Sequence, residues 1–99
     1  MSSWKVIYSK EAENHIKQAV EYYNNKSEGL GSRFYEKIKV ADIKLKSNPY
    51  FQVRYNIIRC LPLEVFPYMI HFEIDETRKL IKVYAVISTY VNPTINWKH

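Results

Sequence analysis

Apolar residues recur along this chain with two different periods, and the change of period divides it. Over residues 10–25 the apolar positions are Ala12, Ile16, Ala19, Val20 and Tyr23. A spacing of three to four residues puts them on one stripe of a helix. Ser9 precedes the stripe as an N-cap residue, and Glu11 and Glu13 follow it, where the helix dipole favours negative charge. A first helix is expected from Lys10 to Asn25. The segment Ser27 to Gly31 breaks it with both glycines of the chain, Gly29 and Gly31. Leu30, Phe34, Ile38, Ala41 and Leu45 form a second stripe, so a second helix is expected from Ser32 to Ser47. Asn48-Pro49 ends it, because the residue before proline avoids helical geometry. The short turn between the helices predicts an antiparallel hairpin. Val40 and Ile43 lie off the second stripe, at the edge of the core or on a partner-binding surface.

Outside the helices the period becomes two. Trp4 to Tyr8 is a short β-branched and aromatic strand. Tyr55 to Leu63 reads as another, interrupted at Pro62. Phe66-Pro67 is a turn. Tyr68 to Asp75 alternates, with Tyr68, Ile70, Phe72 and Ile74 on one face and Met69, His71, Glu73 and Asp75 on the other. After the polar turn Glu76 to Lys79, Leu80 to Ser88 is the last strand. Ile81, Val83, Ala85 and Ile87 are expected inward, and Lys82, Tyr84, Val86 and Ser88 on the opposite face. Asn92-Pro93 ends it. The order β-α-α-β-β-β predicts an α+β fold with a helical hairpin packed on one face of a small antiparallel sheet. The other face stays open and carries Met69, His71, Glu73, Lys82, Tyr84 and Ser88.

Composition bounds the function. Ninety-nine residues, 46% of them hydrophobic and 25% charged, fit one globular domain over residues 1–99 and argue against disorder. Fifteen basic and ten acidic residues give a net charge of +5, which suits an acidic partner, nucleic acid or an acidic protein segment. Cys60 is the one cysteine, so no internal disulfide and no cysteine-based zinc site can form; this fits a reducing cytoplasm. The N-terminus has no apolar signal region, and the longest apolar stretch, Val83 to Ile87, is far short of a membrane span.

Candidate chemistry is sparse. No glycine-rich phosphate loop, nucleophile elbow or zinc-protease motif occurs. Cys60 is expected to be a buried core residue. His71 and Glu73, two apart on one strand face, point the same way and read as a solvated polar surface, as half a metal site or as an acid/base pair. His15 and His99 receive no role. Arg33, Lys37, Lys39, Lys44 and Lys46 load the second helix, as a solvated face or a platform for an acidic partner. Arg54 and Arg59, near Tyr55 and Tyr68, have the fork geometry for phosphate.

The whole pattern resembles the RelE/ParE family of toxins from bacterial type II toxin–antitoxin systems. The matching residues are Tyr8-Ser9 with Glu11, Ala12 and Glu13, then Tyr22-Tyr23, then Gly29 to Phe34, then Asn48-Pro49. Ile58-Arg59, the run Phe66 to Ile70, and Asn92-Pro93 complete it. The long helical hairpin is more similar to the ParE branch, of the plasmid-stabilisation type. The resemblance implies a cytoplasmic toxin neutralised by a cognate antitoxin, with no cofactor, no metal and no membrane partner, and with a homodimer inside a toxin–antitoxin hetero-oligomer as one arrangement. The ParE branch poisons DNA gyrase. The RelE branch cuts messenger RNA on the ribosome with basic residues and a tyrosine of the open sheet face. Relatives often carry His-Thr-Ser-Arg-Asn-Pro after the last strand; here the histidine position is Ser88 and the arginine position is Val91. Serine does not replace imidazole as a base, and valine does not contact phosphate. The expected activity is therefore gyrase inhibition by binding, with Arg59 facing the target and His71, Lys82 and Tyr90 behind it. The alternatives are a RelE-like mRNA interferase using Arg54, Arg59 and Lys82, or a degenerate, non-toxic binding member.

Overall fold

The computed structural model describes residues 4–90. Strand β1 (Lys5–Tyr8) is followed by helices α1 (Lys10–Lys26) and α2 (Leu30–Ser47) and strands β2 (Val53–Tyr55), β3 (Ile58–Pro62), β4 (Tyr68–Asp75) and β5 (Leu80–Ser88). The sheet has the order β1-β5-β4-β3-β2. Every pairing is antiparallel except β1 with β5, which is parallel. The sheet is therefore mixed where sequence predicted it antiparallel, because the helical hairpin carries the chain back across the sheet before β5 joins β1. The strand expected from Tyr55 to Leu63 is the β2–β3 hairpin: Tyr55 pairs with Ile58 across a turn whose Asn56 takes φ 50, a conformation that asparagine tolerates well. With that split, the expected element order stands.

Local chemistry explains both helix starts. The Ser9 hydroxyl accepts from the Ala12 amide at 3.0 Å and caps α1. Helix α2 has no capping side chain at its own start, where Gly29 takes φ 85. Asn24 of α1 does that work instead: its Oδ1 accepts from the Gly31 amide at 2.8 Å. The helices touch there. A Cβ on Gly31 would lie 2.3 Å from the Val20 carbonyl oxygen.

The core lies between the hairpin and the sheet. Phe34, Leu45, Ile70, Phe72 and Ile81 are wholly buried in it. Tyr23, Phe34, Phe66 and Tyr68 stack around the α2 N-terminal half with ring centroids 4.8 to 6.0 Å apart. Tyr68, Ile70, Phe72 and Ile74 of β4 all face this core, as their alternation predicts.

Strand β5 departs from its expected pattern. His71 pairs with Ala85, but Phe72 pairs with Val83, so Tyr84 is an extra residue and forms a bulge. Alternation reverses beyond it. Ile81 and Val83 face the core as predicted, but Val86 then takes the inward position expected for Ala85 and Ile87. The bulge sits where β1 stops. The Ser9 amide donates to the Val83 carbonyl at 2.9 Å, and the Ser9 hydroxyl donates to the Tyr84 carbonyl at 3.2 Å. Nearly two turns further along α1, His15 Nδ1 accepts from the Val86 amide at 3.1 Å. A helix side chain thus replaces the missing strand neighbour and satisfies an edge amide. No helix of the described residues is long and apolar enough to cross a membrane.

Candidate functional site

The four residues singled out in the sequence do not converge. Adjacent strand residues point to opposite faces. Phe72 faces the core, so His71 faces away from the helices; their partners Arg59 and Cys60 divide likewise. Arg59 therefore lies on the helix side of the sheet, at its margin. Its Nη1 donates to the Phe51 carbonyl at 2.7 Å, and its guanidinium sits 5.5 Å from the Tyr50 ring centroid. Tyr50 in turn packs edge-on against Trp4 and donates to Glu76. Arg59 thus clamps the segment between α2 and β2. Lys82 is on the open face and pairs with Asp75 at 3.6 Å. Tyr90 stands beyond β5 and is 87% exposed. Ser88 accepts from the Tyr90 amide through its hydroxyl. Val91, Asn92-Pro93 and His99 lie outside the described residues.

His71 corrects the expectation of a solvated polar face. It is only 2% exposed. The central row of the open face runs Cys60, His71, Ala85 across three strands, and the two small neighbours let the imidazole lie low. Tyr55 from β2 brings its hydroxyl to 3.0 Å from His71 Nδ1, and Cys60 Sγ lies 3.3 Å from the same atom. Burial, then the charges of His15 and Arg54, pull the His71 pKa down to about 4. The ring is neutral at physiological pH. The phenol, the stronger donor at the shorter distance, fills the Nδ1 lone pair. Burial pushes the Cys60 thiol up to about 11, so it stays protonated and is no nucleophile. Glu73 does not pair with His71; it accepts from the Tyr84 hydroxyl at 2.6 Å, and burial followed by that bond raises Tyr84 to about 12. Among the described residues no three His, Cys, Asp or Glu side chains gather as a metal site.

A broad concavity lies elsewhere. A groove of about 970 Å³ is lined by α1, α2 and Tyr8 of β1. Ile16, Val20, Tyr35, Ile38 and Ile43 supply its apolar surface. Tyr35 is 48% exposed and Ile43 64%. At one end the Tyr8 hydroxyl donates to Asp42 Oδ1 at 2.6 Å, and Lys46 pairs with the other Asp42 oxygen at 3.1 Å. Burial, then the Asp42 hydrogen bond, raises the Tyr8 pKa far above the usual phenol value. Sequence reasoning flagged this surface through Ile43, an apolar residue off the helix stripe, and through Lys39, one of the basic residues read as a platform for an acidic partner. The groove itself needs both helices and was not legible in either.

No protein-family model and no curated protein matches the chain. Among solved structures it is similar to a chain of the chromosomal ParDE TA system from P. aeruginosa, with a TM-score of 0.74 and 14% identity. That match covers 86% of this chain and 95% of the other. At this identity the likeness establishes a shared fold: two helices packed on a five-stranded, mostly antiparallel sheet.

Proposed function

We propose that the chain is the toxin component of a toxin–antitoxin module and is neutralised by an antitoxin segment seated in the α1–α2 groove. The observation that carries this reading is the groove itself, an exposed apolar channel on a fold shared with a ParDE chain. Monomeric proteins rarely expose such a continuous apolar surface without a partner. An amphipathic helix laid in it would cover Tyr35 and Ile43.

Action by binding, with DNA gyrase as target, fits the sheet better than RNA cleavage does. Arg59 is turned to the helix side and Lys82 is tied to Asp75; Ser88 and Val91 occupy positions where the family resemblance would call for imidazole and guanidinium. One arrangement favours the nuclease alternative: the Tyr55 phenol held by neutral His71, with Arg54 beside them.

Induction of the chain in a bacterial host, with labelled thymidine and labelled amino acid followed over the first minutes, separates the two. Early loss of thymidine incorporation is expected. Early loss of amino-acid incorporation would overturn the gyrase reading, and undisturbed growth with soluble protein would leave a binding member without toxicity. Ile43→Asp should keep the inhibition and lose rescue by the antitoxin.

A further inference from the structure

Helix α1 borders a second opening on its other flank. Glu13, Ile16, Lys17 and Val20 line the groove shared with α2. His15, Gln18, Ala19 and Tyr22 instead line a cleft of about 400 Å³ against β5. Tyr68 and Ile87 of the sheet complete it, and no Lys, Arg, Asp or Glu lines it. The edge of β5 runs through this cleft. β1 pairs with β5 from Leu80 to Val83, whereas β5 continues to Ser88. Backbone groups of successive strand residues point to alternate sides. The Thr89 amide donates to Pro67 on the β4 side, and the Val86 amide turns the other way, to His15. The Val86 carbonyl and the Ser88 amide therefore also point out of the free edge. Among the described residues no strand pairs with them there.

We propose that the β5 edge from Val86 to Ser88 docks an extended, uncharged segment of a partner protein, laid parallel to β5 in line with β1. The backbone sets the direction. In a parallel ladder one residue donates its N–H to a neighbour's carbonyl and accepts from the amide two residues further on. Val86 and Ser88 are two apart, so a single residue of a parallel chain meets both groups. β1 pairs with β5 in this sense, with the Lys5 amide on the Lys79 carbonyl and the Ser9 amide on the Val83 carbonyl. An antiparallel chain along this edge would need the Val86 amide as well, and His15 holds that amide. The lining sets the composition. Tyr22, 51% exposed, and the partly exposed Ile87 offer apolar contact. A charged side chain placed among these residues would lose water and gain no counter-charge. Strand addition of this kind draws its affinity from the main chain and its selectivity from the side-chain pockets. The site stands apart from the α1–α2 groove and does not depend on it.

The probe is the blocked peptide acetyl-Thr-Val-Thr-Val-Thr-amide, added at millimolar concentration to the isotope-labelled full chain and followed by NMR. Hydrogen exchange at the Ser88 amide is expected to slow about tenfold, while Val86, kept by His15, hardly changes. A nitroxide on the peptide N-terminus should broaden Tyr84 more than Tyr90, and one on its C-terminus the reverse. Ser88→Pro removes an amide that the β4 ladder does not use, and should abolish the broadening. Methylating every second peptide nitrogen should do the same with the protein unaltered. The opposite broadening pattern, with faster exchange at Val86, would overturn the parallel assignment. Slow Ser88 exchange in the free chain, or no response to the peptide, would overturn the site.

Discussion

The hydroxyl of Tyr55 lies 3.0 Å from Nδ1 of His71, and this contact ties the outer β2–β3 hairpin to the middle of the sheet face away from the helices. Burial, and not this contact, keeps the imidazole neutral. A neutral imidazole accepts the phenol proton; an imidazolium would present a second donor to the phenol and the thiol, with its charge buried.

Acid should therefore unfold the protein through His71. Its folded pKa is about 4, against an ordinary value of 6.5. The stability it contributes is whole above pH 6.5 and is lost as pH falls from there toward 4, because the unfolded chain takes up the proton first. Urea denaturation at pH 7 and pH 5 should differ by about 2 kcal/mol from this residue. His15, also lowered by burial, adds to the loss in the same direction. His71→Leu should flatten the dependence; an unchanged slope would remove His71 as its cause.

Tyr55→Phe takes the phenol donor away from the buried Nδ1. The expected cost is about 1–2 kcal/mol. In a His71→Leu background the same change should cost clearly less, since the pair interaction is already gone. Additive effects in this double-mutant cycle would contradict the hydrogen bond.

The two glycines should respond differently to alanine. Gly31→Ala drives a Cβ to 2.3 Å from the Val20 carbonyl oxygen, so the helices must part, at a cost of about 2–3 kcal/mol. Gly29→Ala meets nothing within 4 Å and pays only for its φ of 85, about 1 kcal/mol. Thermal melts rank the two, and the reverse order would refute the close approach.

Arg59→Ala should loosen the segment that it clamps. Losing the bond to the Phe51 carbonyl and the contact with Tyr50 should cost about 1–2 kcal/mol. Hydrogen exchange should quicken over residues 50–53 and hardly change in α1. Protection unchanged at those amides would show that the clamp is not what holds the segment.

The sequence by itself determined the elements whose signals are local. Apolar stripes placed both helices within a residue or two, because each buries one face. Strict alternation placed β4 in register with the core for the same reason. Tertiary structure decided the rest. Whether Ala85 or Val86 faces the core depends on the Tyr84 bulge, which lies where β1 ends and His15 of α1 takes over the edge. That His71 is buried follows from its cross-strand neighbours, Cys60 and Ala85, and from Tyr55 leaning in; none is adjacent to it in sequence. That Arg59 turns from the open face follows from its register opposite Phe72. The groove belongs to two helices at once and exists only when the hairpin sets them side by side. A single strand or helix fixes which residues share a face; what lies opposite that face is settled only when distant segments pack.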